Sequence, residues 1–202
     1  MRKSLLVLLS LSMCYCLMAQ EPAKQQEAGL TFYNLNGFGL TYRTGTEQSL
    51  WRFNTLAISG GNTDNSTSST VNKQTNASVT IKVGKEYREK LVDKLELRYG
   101  ADVSLGYRHS KLEVETTSTN YYRSINRTAF EPGVNMVIGL NYMINENLVI
   151  GAELLPAFNY SLGTTKEKET NVNNGNEVKT DNSGYNYGLS NGSALLSIAF
   201  RF

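Results

Sequence analysis

The sequence predicts an all-β chain folded as an eight-stranded antiparallel up-and-down transmembrane β-barrel. The first observation is strict alternation over residues 95–108, LELRYGADVSLGYR, with apolar side chains on one face only. Strands in soluble sheets are usually about 5 to 6 residues long, whereas a tilted strand that crosses a bilayer needs roughly 9 to 11. Seven further segments alternate in a similar way. Short and long connections also alternate between the segments, as they do in bacterial barrels.

The N-terminal residues predict a secretory signal peptide. Arg2 and Lys3 precede a largely apolar run that ends at Ala19, a small residue suited to cleavage. A lipoprotein signal with an acylated Cys14 or Cys16 is the alternative, although neither cysteine directly follows the small residue that such a signal prefers. Both cysteines lie in this segment, so we expect no disulfide in the mature chain. The expected organisation is a signal peptide at 1–19, a short N-terminal segment at 20–29 and the barrel at 30–202.

The first four strands begin with a hairpin. Asn36-Gly37 is a typical two-residue hairpin turn between the first two strands. In the third strand Trp51 and Phe53 share a face, but the apolar residues that follow take the opposite phase, so we expect a β-bulge there. The fourth strand alternates aliphatic residues with serine, threonine, lysine and glycine. These strands are expected at about residues 30–35, 38–44, 50–59 and 75–87.

The last four strands show the alternation most clearly. The fifth is the segment 95–108, and the sixth alternates strongly over residues 134–142. The seventh begins at residue 148 and continues to about residue 160. The eighth runs from residue 184 to Phe202, with an expected change of phase at Asn191-Gly192. An even number of strands places both chain ends on the same side of the membrane.

The connections fall into two classes of length. Three are short turns, at about residues 45–49, 88–93 and 144–147. Three are long and polar, and their composition predicts loops. These expected loops are residues 60–73, 110–126 and 163–183. Because outer-membrane barrels have short periplasmic turns and longer external loops, we expect the three long connections on the outside.

Charge and hydropathy exclude other classes of protein. Without Arg2 and Lys3 the chain has 18 basic and 18 acidic residues, and this balance argues against nucleic-acid binding. The mature sequence contains no stretch of 18 apolar residues, so we expect no membrane-spanning helix. A closed barrel is then the structure that can cross lipid with its backbone groups satisfied.

Alternation alone would also fit a soluble, lipocalin-like barrel with its apolar face inside. Three features favour lipid on the apolar side. Tyr99 and Tyr107 lie on one apolar face, about 20 Å apart along the membrane normal at the usual strand rise and tilt, close to the height of a lipid-facing band. The polar faces are rich in glycine and serine, which suits a crowded interior of eight strands. The third feature is the ending at Phe202, with apolar residues at every second position before it.

Four short motifs in this order resemble a known family. They are Asn36-Gly37, Leu50-Trp51-Arg52, Tyr99-Gly100-Ala101-Asp102 and Phe200-Arg201-Phe202. Together with the topology they resemble the small outer-membrane β-barrel proteins of Bacteroidota-type Gram-negative bacteria, which are similar in architecture to the OmpA and OmpX barrels and are porin-like. The resemblance implies a location in the outer membrane, in contact with its lipid and lipopolysaccharide. The ending of the chain resembles the signal read by the outer-membrane assembly machinery, formed here by Leu196, Ile198, Phe200 and Phe202. We expect no peptidoglycan-binding domain after Phe202.

If apolar residues face lipid, the interior receives charges of both signs. The expected interior residues are Arg43, Lys82, Arg98, Arg108 and Arg201 with Glu86, Glu96, Asp102, Glu131 and Glu153. Charges in a narrow interior must be paired or hydrated, since an unpaired buried charge costs several kcal/mol. Our interpretation is a salt-bridged plug that fixes strand register. A thin path for ions or water is the alternative, although eight strands enclose side chains rather than a channel.

The sequence offers few residues for catalysis or for metal binding. His109 is the only histidine and lies beside Ser110, but adjacent residues of a strand point to opposite faces and cannot form a Ser-His pair. One histidine and no mature cysteine offer no cluster of ligands for a transition metal. We therefore expect no enzyme activity, no catalytic residues, no metal site and no cofactor.

The long connections 60–73, 110–126 and 163–183 are the surface large enough for an extracellular partner, although flexible solvated loops are the simpler interpretation. Two functions follow from the sequence. The first is a monomeric, non-enzymatic barrel with a structural or surface-interaction role. The second is a small pore for ions or small solutes.

Overall fold

The computed structural model describes residues 24–34, 37–171, 174–189 and 193–202, and nearly all of them lie in β-strands. The strands are β1 (Gln25–Asn34), β2 (Gly37–Gly45), β3 (Ser49–Ser66), β4 (Thr70–Val92), β5 (Leu95–Thr116), β6 (Tyr121–Met143), β7 (Leu148–Leu154), β8 (Ala157–Asn171), β9 (Asn174–Gly188) and β10 (Ala194–Arg201). One turn of 3-10 helix, Thr117–Thr119, joins β5 to β6. No helix in these residues is long and apolar enough to cross a membrane.

Eight of the strands close into a ring. Strands β1 to β7 pair with their neighbours in sequence, and β10 lies between β7 and β1. The backbones of Gln26 and Phe202 exchange two hydrogen bonds, of 3.0 and 2.9 Å, where the first and last strands meet. All pairings are antiparallel. The predicted eight-stranded antiparallel fold is confirmed.

The strands expected as seven and eight are each divided in two. Strands β7 and β8 pair with β6 in one continuous register on either side of Leu155 and Pro156. The Leu155 amide donates to the Ser193 carbonyl at 2.7 Å, and the Met136 amide donates to the Pro156 carbonyl at 2.8 Å. Proline itself has no N–H for the ladder, which explains the interruption. The wall therefore stays hydrogen-bonded across it, and β9 continues outward beside β8.

The three long connections are hairpins, so their prediction as loops was wrong. Residues 60–73 lie mostly in β3 and β4, residues 110–126 in β5 and β6, and residues 163–183 in β8 and β9. Their polar composition is compatible with strands because both faces of a sheet outside a membrane meet water. Residues such as Leu112 and Val114, which are paired in β5 with Ile125 and Arg123 of β6, keep the two-residue period. The ladders β4–β5 and β5–β6 therefore extend far beyond the ring.

Several expected boundaries also change. Strand β1 begins at Gln25, so the expected N-terminal segment 20–29 is partly strand. Strand β4 runs to Val92, and the turn expected at 88–93 shortens to Asp93 and Lys94. The bulge expected in the third strand is confirmed by a shift of register between Leu56 and Ser59. The expected signal peptide, Asn36 and Asn191-Gly192 lie outside the described residues.

The two faces of the ring differ in polarity. On β5, Tyr99, Val103, Leu105 and Tyr107 point outward and are exposed, whereas Arg98 and Asp102 are buried inside. The same alternation continues around the ring, where arginines, glutamates and asparagines fill the interior. The fold thus collects the ionisable side chains of many strands in one enclosed space.

Candidate functional site in the barrel interior

The barrel interior is the place where the chain concentrates chemistry. Inward positions alternate with outward positions on each strand, so polar side chains of several strands point into the same space. Nine ionisable side chains of the described residues are buried there: Glu27, Arg43, Arg52, Lys82, Glu86, Arg88, Arg98, Asp102 and Glu153. Five cationic arginine and lysine side chains and four carboxylates thus share a space that excludes most solvent.

Glu27 organises the end of this space that lies beside the short turns and Arg201, which we call the inner end. The hairpins that extend beyond the ring lie at the opposite, outer end. Arg88 of β4 grips its carboxylate with two nitrogens, at 2.6 and 2.7 Å. Arg201 of β10 donates to the same carboxylate from Nε at 2.8 Å, and Arg43 of β2 approaches it at 3.4 Å. Paired forks of this kind are the strongest form of ionic hydrogen bond in proteins. One carboxylate of the first strand therefore binds the second, fourth and last strands.

Arg52 organises the centre. Its guanidinium donates to Glu153 with two nitrogens, at 3.1 and 2.9 Å, and to Glu86 at 3.1 Å. Its Nε lies 3.2 Å from Asp102. Glu153 also lies 3.1 Å from Arg98, and Glu86 accepts a 2.7 Å bond from Arg88, which connects the centre with the group around Glu27. The ion pairs thus form one continuous network.

The inner mouth completes the network. Arg201 donates to both oxygens of Glu96, at 3.1 and 2.9 Å. Asn141 of β6 donates its amide to Glu96 at 3.3 Å. With this contact every strand of the ring supplies at least one member. One member from each strand, in chain order, is Glu27, Arg43, Arg52, Glu86, Arg98, Asn141, Glu153 and Arg201.

Glycines make the space for these long side chains. Gly139 of β6 is paired with Arg98 on one side and Glu153 on the other. A Cβ atom at this position would lie 2.8 Å from the Glu153 Cβ and 3.0 Å from the Arg98 Nε. The ion pair between β5 and β7 therefore passes directly over a strand position that has no side chain.

An apolar layer lies on the outer side of the charges. Val137, Leu155 and Leu195 are buried against one another, with Tyr33 packed beside them. Val137 and Leu195 lie two residues outward from the interior positions Gly139 and Ser197 of their strands, and Leu155 follows Glu153 by two residues just beyond β7. The apolar layer and the charged network therefore occupy successive levels of the interior.

The structure places the ten expected interior charges in three regions. Arg43, Lys82, Glu86, Arg98, Asp102 and Glu153 are buried in the interior. Glu96 and Arg201 lie at the inner mouth and are slightly exposed. Arg108 and Glu131 lie elsewhere: they form a 3.3 Å pair in which the Arg108 side chain is 63% exposed. Because β5 and β6 extend beyond the ring, this pair stands at its outer edge.

Three members of the network were missed by the sequence reasoning. Glu27 fell in the segment expected before the first strand, and Arg88 fell in an expected turn. Arg52 lies in the third strand, where the expected bulge made the facing of side chains ambiguous. The signal for Arg52 was its position between Trp51 and Phe53, which point outward. The expected assembly-signal residues Leu196, Ile198, Phe200 and Phe202 also point outward and are exposed.

The outer hairpins carry a second, exposed set of ion pairs. Glu113 of β5 accepts hydrogen bonds from Lys111 and from the Tyr122 hydroxyl, both at 2.8 Å. These bonds hold the pKa of the Glu113 carboxyl below its ordinary value, and the bond from Lys111 has the larger effect. His109 and Ser110 are successive residues of β5. No three histidine, cysteine or acidic side chains in the described parts of the chain are grouped so that they could hold a metal ion.

Comparison with known proteins identifies one family. The sequence model of the OmpA-OmpF-like porin family matches residues 58–188. No curated protein matches the chain.

Three solved structures are similar. A major outer membrane protein from Thermus thermophilus is 16% identical over 89% of this chain and 100% of its own, with a TM-score of 0.47. Ail, the attachment invasion locus protein of Yersinia pestis, is 16% identical over 90% and 99%, with a TM-score of 0.39. CarO of Acinetobacter baumannii is 12% identical over 88% and 96%, with a TM-score of 0.38.

Proposed function

Since the chain belongs to the OmpA-OmpF-like porin family, we propose that it is a non-enzymatic barrel of the outer membrane with a closed interior and a surface-interaction role. The observation that carries this proposal is the filled interior. The arginine and carboxylate network joins all eight strands of the ring, and the layer of Val137, Leu155 and Leu195 covers its outer side. Narrow apolar constrictions of this kind oppose the passage of ions.

The exposed surface supports the second half of the proposal. Three hairpins, formed by β3–β4, β5–β6 and β8–β9, extend beyond the ring and carry polar side chains on both faces. A binding surface on a rigid sheet is held in place better than one on a flexible loop. We place the partner-binding surface on these hairpins, in the segments 60–73, 110–126 and 163–183.

The remaining partners follow from the same placement. The outward apolar side chains of the ring contact the lipid of the outer membrane, and the residues at its outer edge contact lipopolysaccharide. The outward residues Leu196, Ile198, Phe200 and Phe202 form the signal for the assembly machinery. The barrel closes on itself through β1 and β10, so it requires no second copy for its ring.

Planar-bilayer recording tests the closed interior. We expect the purified protein to show no steady single-channel conductance. The matched variants are Arg98→Gln with Asp102→Asn inside the network and Arg108→Gln with Glu131→Gln at the exposed pair. A steady conductance of the unmodified protein that disappears only in the interior variant would contradict the proposal and establish the alternative, a small pore.

Proteolysis of intact cells tests the surface role. Lys166, Lys168 and Lys179 lie on the hairpin β8–β9. If the hairpins face the outside, trypsin added to intact cells removes them without disrupting the membrane. Cleavage only after the outer membrane is opened would place the hairpins on the periplasmic side and overturn the proposal.

A further inference from the structure

The sheet outside the ring has two edges, and both are free in the described residues. Residues 59–66 of β3 pair with β4 only, and β9 pairs with β8 only. Within the ring, β1 and β2 lie between β10 and β3 and form a short hairpin. This hairpin does not extend into the outer sheet. The ring therefore has eight strands, whereas the sheet above it has six, namely β3, β4, β5, β6, β8 and β9.

The faces of both edge strands are open at two glycines. A Cβ atom on Gly61 of β3 or on Gly184 of β9 would meet no other atom within 4 Å. By contrast, a Cβ atom on Gly29 of β1, which has strands on both sides, would lie 2.1 Å from a backbone oxygen of β10. Free strand edges present unpaired N–H and C=O groups, which readily bind another strand.

The direction of the edges fixes the number of strands that can fill the space. Strand β3 runs outward and β9 runs inward, as the order of the strands in the ring requires. Antiparallel pairing to both edges at once requires an even number of inserted strands. A single strand would be antiparallel to one edge and parallel to the other. Two strands also continue the positions of β1 and β2, so a β-hairpin fits.

The inner end of the space has a distinct chemistry. Tyr185 and Tyr187 of β9 are 70% and 78% exposed and lie opposite Tyr160 and Phe158 of β8 on the outward face, where the Tyr185 ring stacks on Phe158 at 6.2 Å. Farther outward the edges carry asparagine, threonine, glycine and charged residues. An occupant would therefore be apolar near its turn and polar along its strands.

We propose that the gap between residues 59–66 of β3 and β9 is an insertion site for a β-hairpin of a partner protein, which completes an eight-stranded sheet outside the ring. This inference rests on the proposed surface role and names the class of partner. Recognition comes mainly from backbone hydrogen bonds along both edges, and Tyr185 and Tyr187 contact the turn. A second copy of this chain would fit less well, because it would join one edge of each molecule and leave the others free, as in open-ended assemblies.

A designed peptide provides the probe. It joins residues 71–78, which pair with residues 59–66, through Asn-Gly to residues 163–170, which pair with residues 175–182 of β9. A fluorescein-labelled form is titrated against the full chain in detergent micelles by fluorescence anisotropy, with a peptide of scrambled sequence as the control. Hydrogen exchange by mass spectrometry is measured on the same complex. We expect saturable binding of the probe alone and slower exchange along both edges.

Proline variants separate the edges from the rest of the sheet. Successive residues of an antiparallel strand direct their N–H groups to opposite sides. Two pairs of single variants are compared: Asn62→Pro or Thr63→Pro in β3, and Lys179→Pro or Thr180→Pro in β9. In each pair, one variant removes an N–H on the free side of the strand and keeps the existing ladder. These variants are identified by hydrogen exchange without the probe, in which the β3–β4 and β8–β9 ladders keep their protection. We expect them to bind the probe at least 10-fold more weakly.

Four results would overturn the inference: no binding, slower exchange at one edge only, unchanged affinity in the folded proline variants, or edges that already exchange slowly and lose this protection on dilution. The last result would show a second copy in the gap. The proposed function is tested separately, by bilayer recording and by trypsin on intact cells. It stands after any of these four results when the barrel does not conduct and trypsin cleaves the hairpins. A conducting barrel or periplasmic hairpins would instead remove the proposed function itself.

Discussion

Arg52 joins three carboxylates at the centre of the interior. Its side chain is fully buried and forms ion pairs with the carboxylates of Glu86, Asp102 and Glu153. Removal of one partner from a buried ionic group leaves the others unpaired in a medium that solvates them poorly. The same argument does not hold for exposed pairs, where water already screens the charges.

We expect Arg52→Ala to lower the free energy of unfolding by about 3–5 kcal/mol. The control is Arg108→Ala, which removes the exposed partner of Glu131 and should change stability by about 0–1 kcal/mol. Urea unfolding in detergent micelles, followed by the fluorescence of Trp51, the single tryptophan, measures both. Equal losses in the two variants would contradict the importance of the buried network.

Gly139 gives a second prediction for a single residue. We expect Gly139→Ala to destabilise the barrel by about 1–3 kcal/mol, because the new Cβ would press on Glu153 and on the Ala152 carbonyl. Gly61→Ala places its Cβ in open space and serves as the control. The same unfolding experiment compares them, and a stable Gly139→Ala barrel would show that the ion pair above this position can shift freely.

At the scale of single residues, the sequence predicted the interior where alternation is strict. Arg98 and Asp102 follow from the pattern of β5 alone. Glu27 and Arg88 do not, because their facing depends on where β1 begins and on where β4 ends. Arg52 lies between the outward Trp51 and Phe53, and the expected bulge farther along β3 obscured its facing. These features are set by pairing with neighbouring strands, and a single sequence contains little information about such pairing.

At the scale of strands and hairpins, the structure separates two parts with different sources of stability. The ring is held by closure and by the interior network. The outer hairpins are held mainly by their ladders and by exposed contacts such as the pair of Arg123 and Glu167. Polar composition predicted loops for these segments because outside the membrane no apolar face is needed to pair strands. The alternation of Leu112 and Val114 was the one local sign of a continued strand.

Removal of an outer hairpin should leave the ring intact. We expect replacement of residues 60–77 by Asn-Gly, which joins Ser59 to its cross-strand partner Ser78, to preserve the folded barrel. No member of the interior network lies in the deleted segment. Heat-modifiable mobility on gels measures the outcome. Loss of the folded band would show that the ring depends on the outer sheet.

At the scale of the whole molecule, the junction of β1 and β10 turns a sheet into a ring. Glu27 and Arg201 are cross-strand partners there and form a 2.8 Å ion pair on the interior side. This junction was predictable in outline, since eight alternating strands must close to satisfy their edges in lipid. The ion pair across it was not, because Glu27 and Arg201 are 174 residues apart in sequence.

A double-mutant cycle measures the contribution of this junction. We expect Glu27→Gln and Arg201→Gln to lose less stability together than the sum of their separate effects, with a coupling of about 0.5–3 kcal/mol. The variants Lys90→Gln and Asp93→Asn, which form an exposed pair at an inner turn, are the control and should show little coupling. A coupling near zero for Glu27 and Arg201 would mean that the junction is held by its backbone ladder alone.

The network that joins every strand of the ring also limits how such a sequence can diverge. Arg52 and Glu153 lie on strands that are not neighbours, and each also serves other partners. A substitution at either position is tolerated only when a compensating change follows on a distant strand. We therefore expect the interior positions of related chains to vary together in groups, while the outer hairpins accumulate changes independently. A comparison of diverged relatives would show this as correlated charge reversals across the ring.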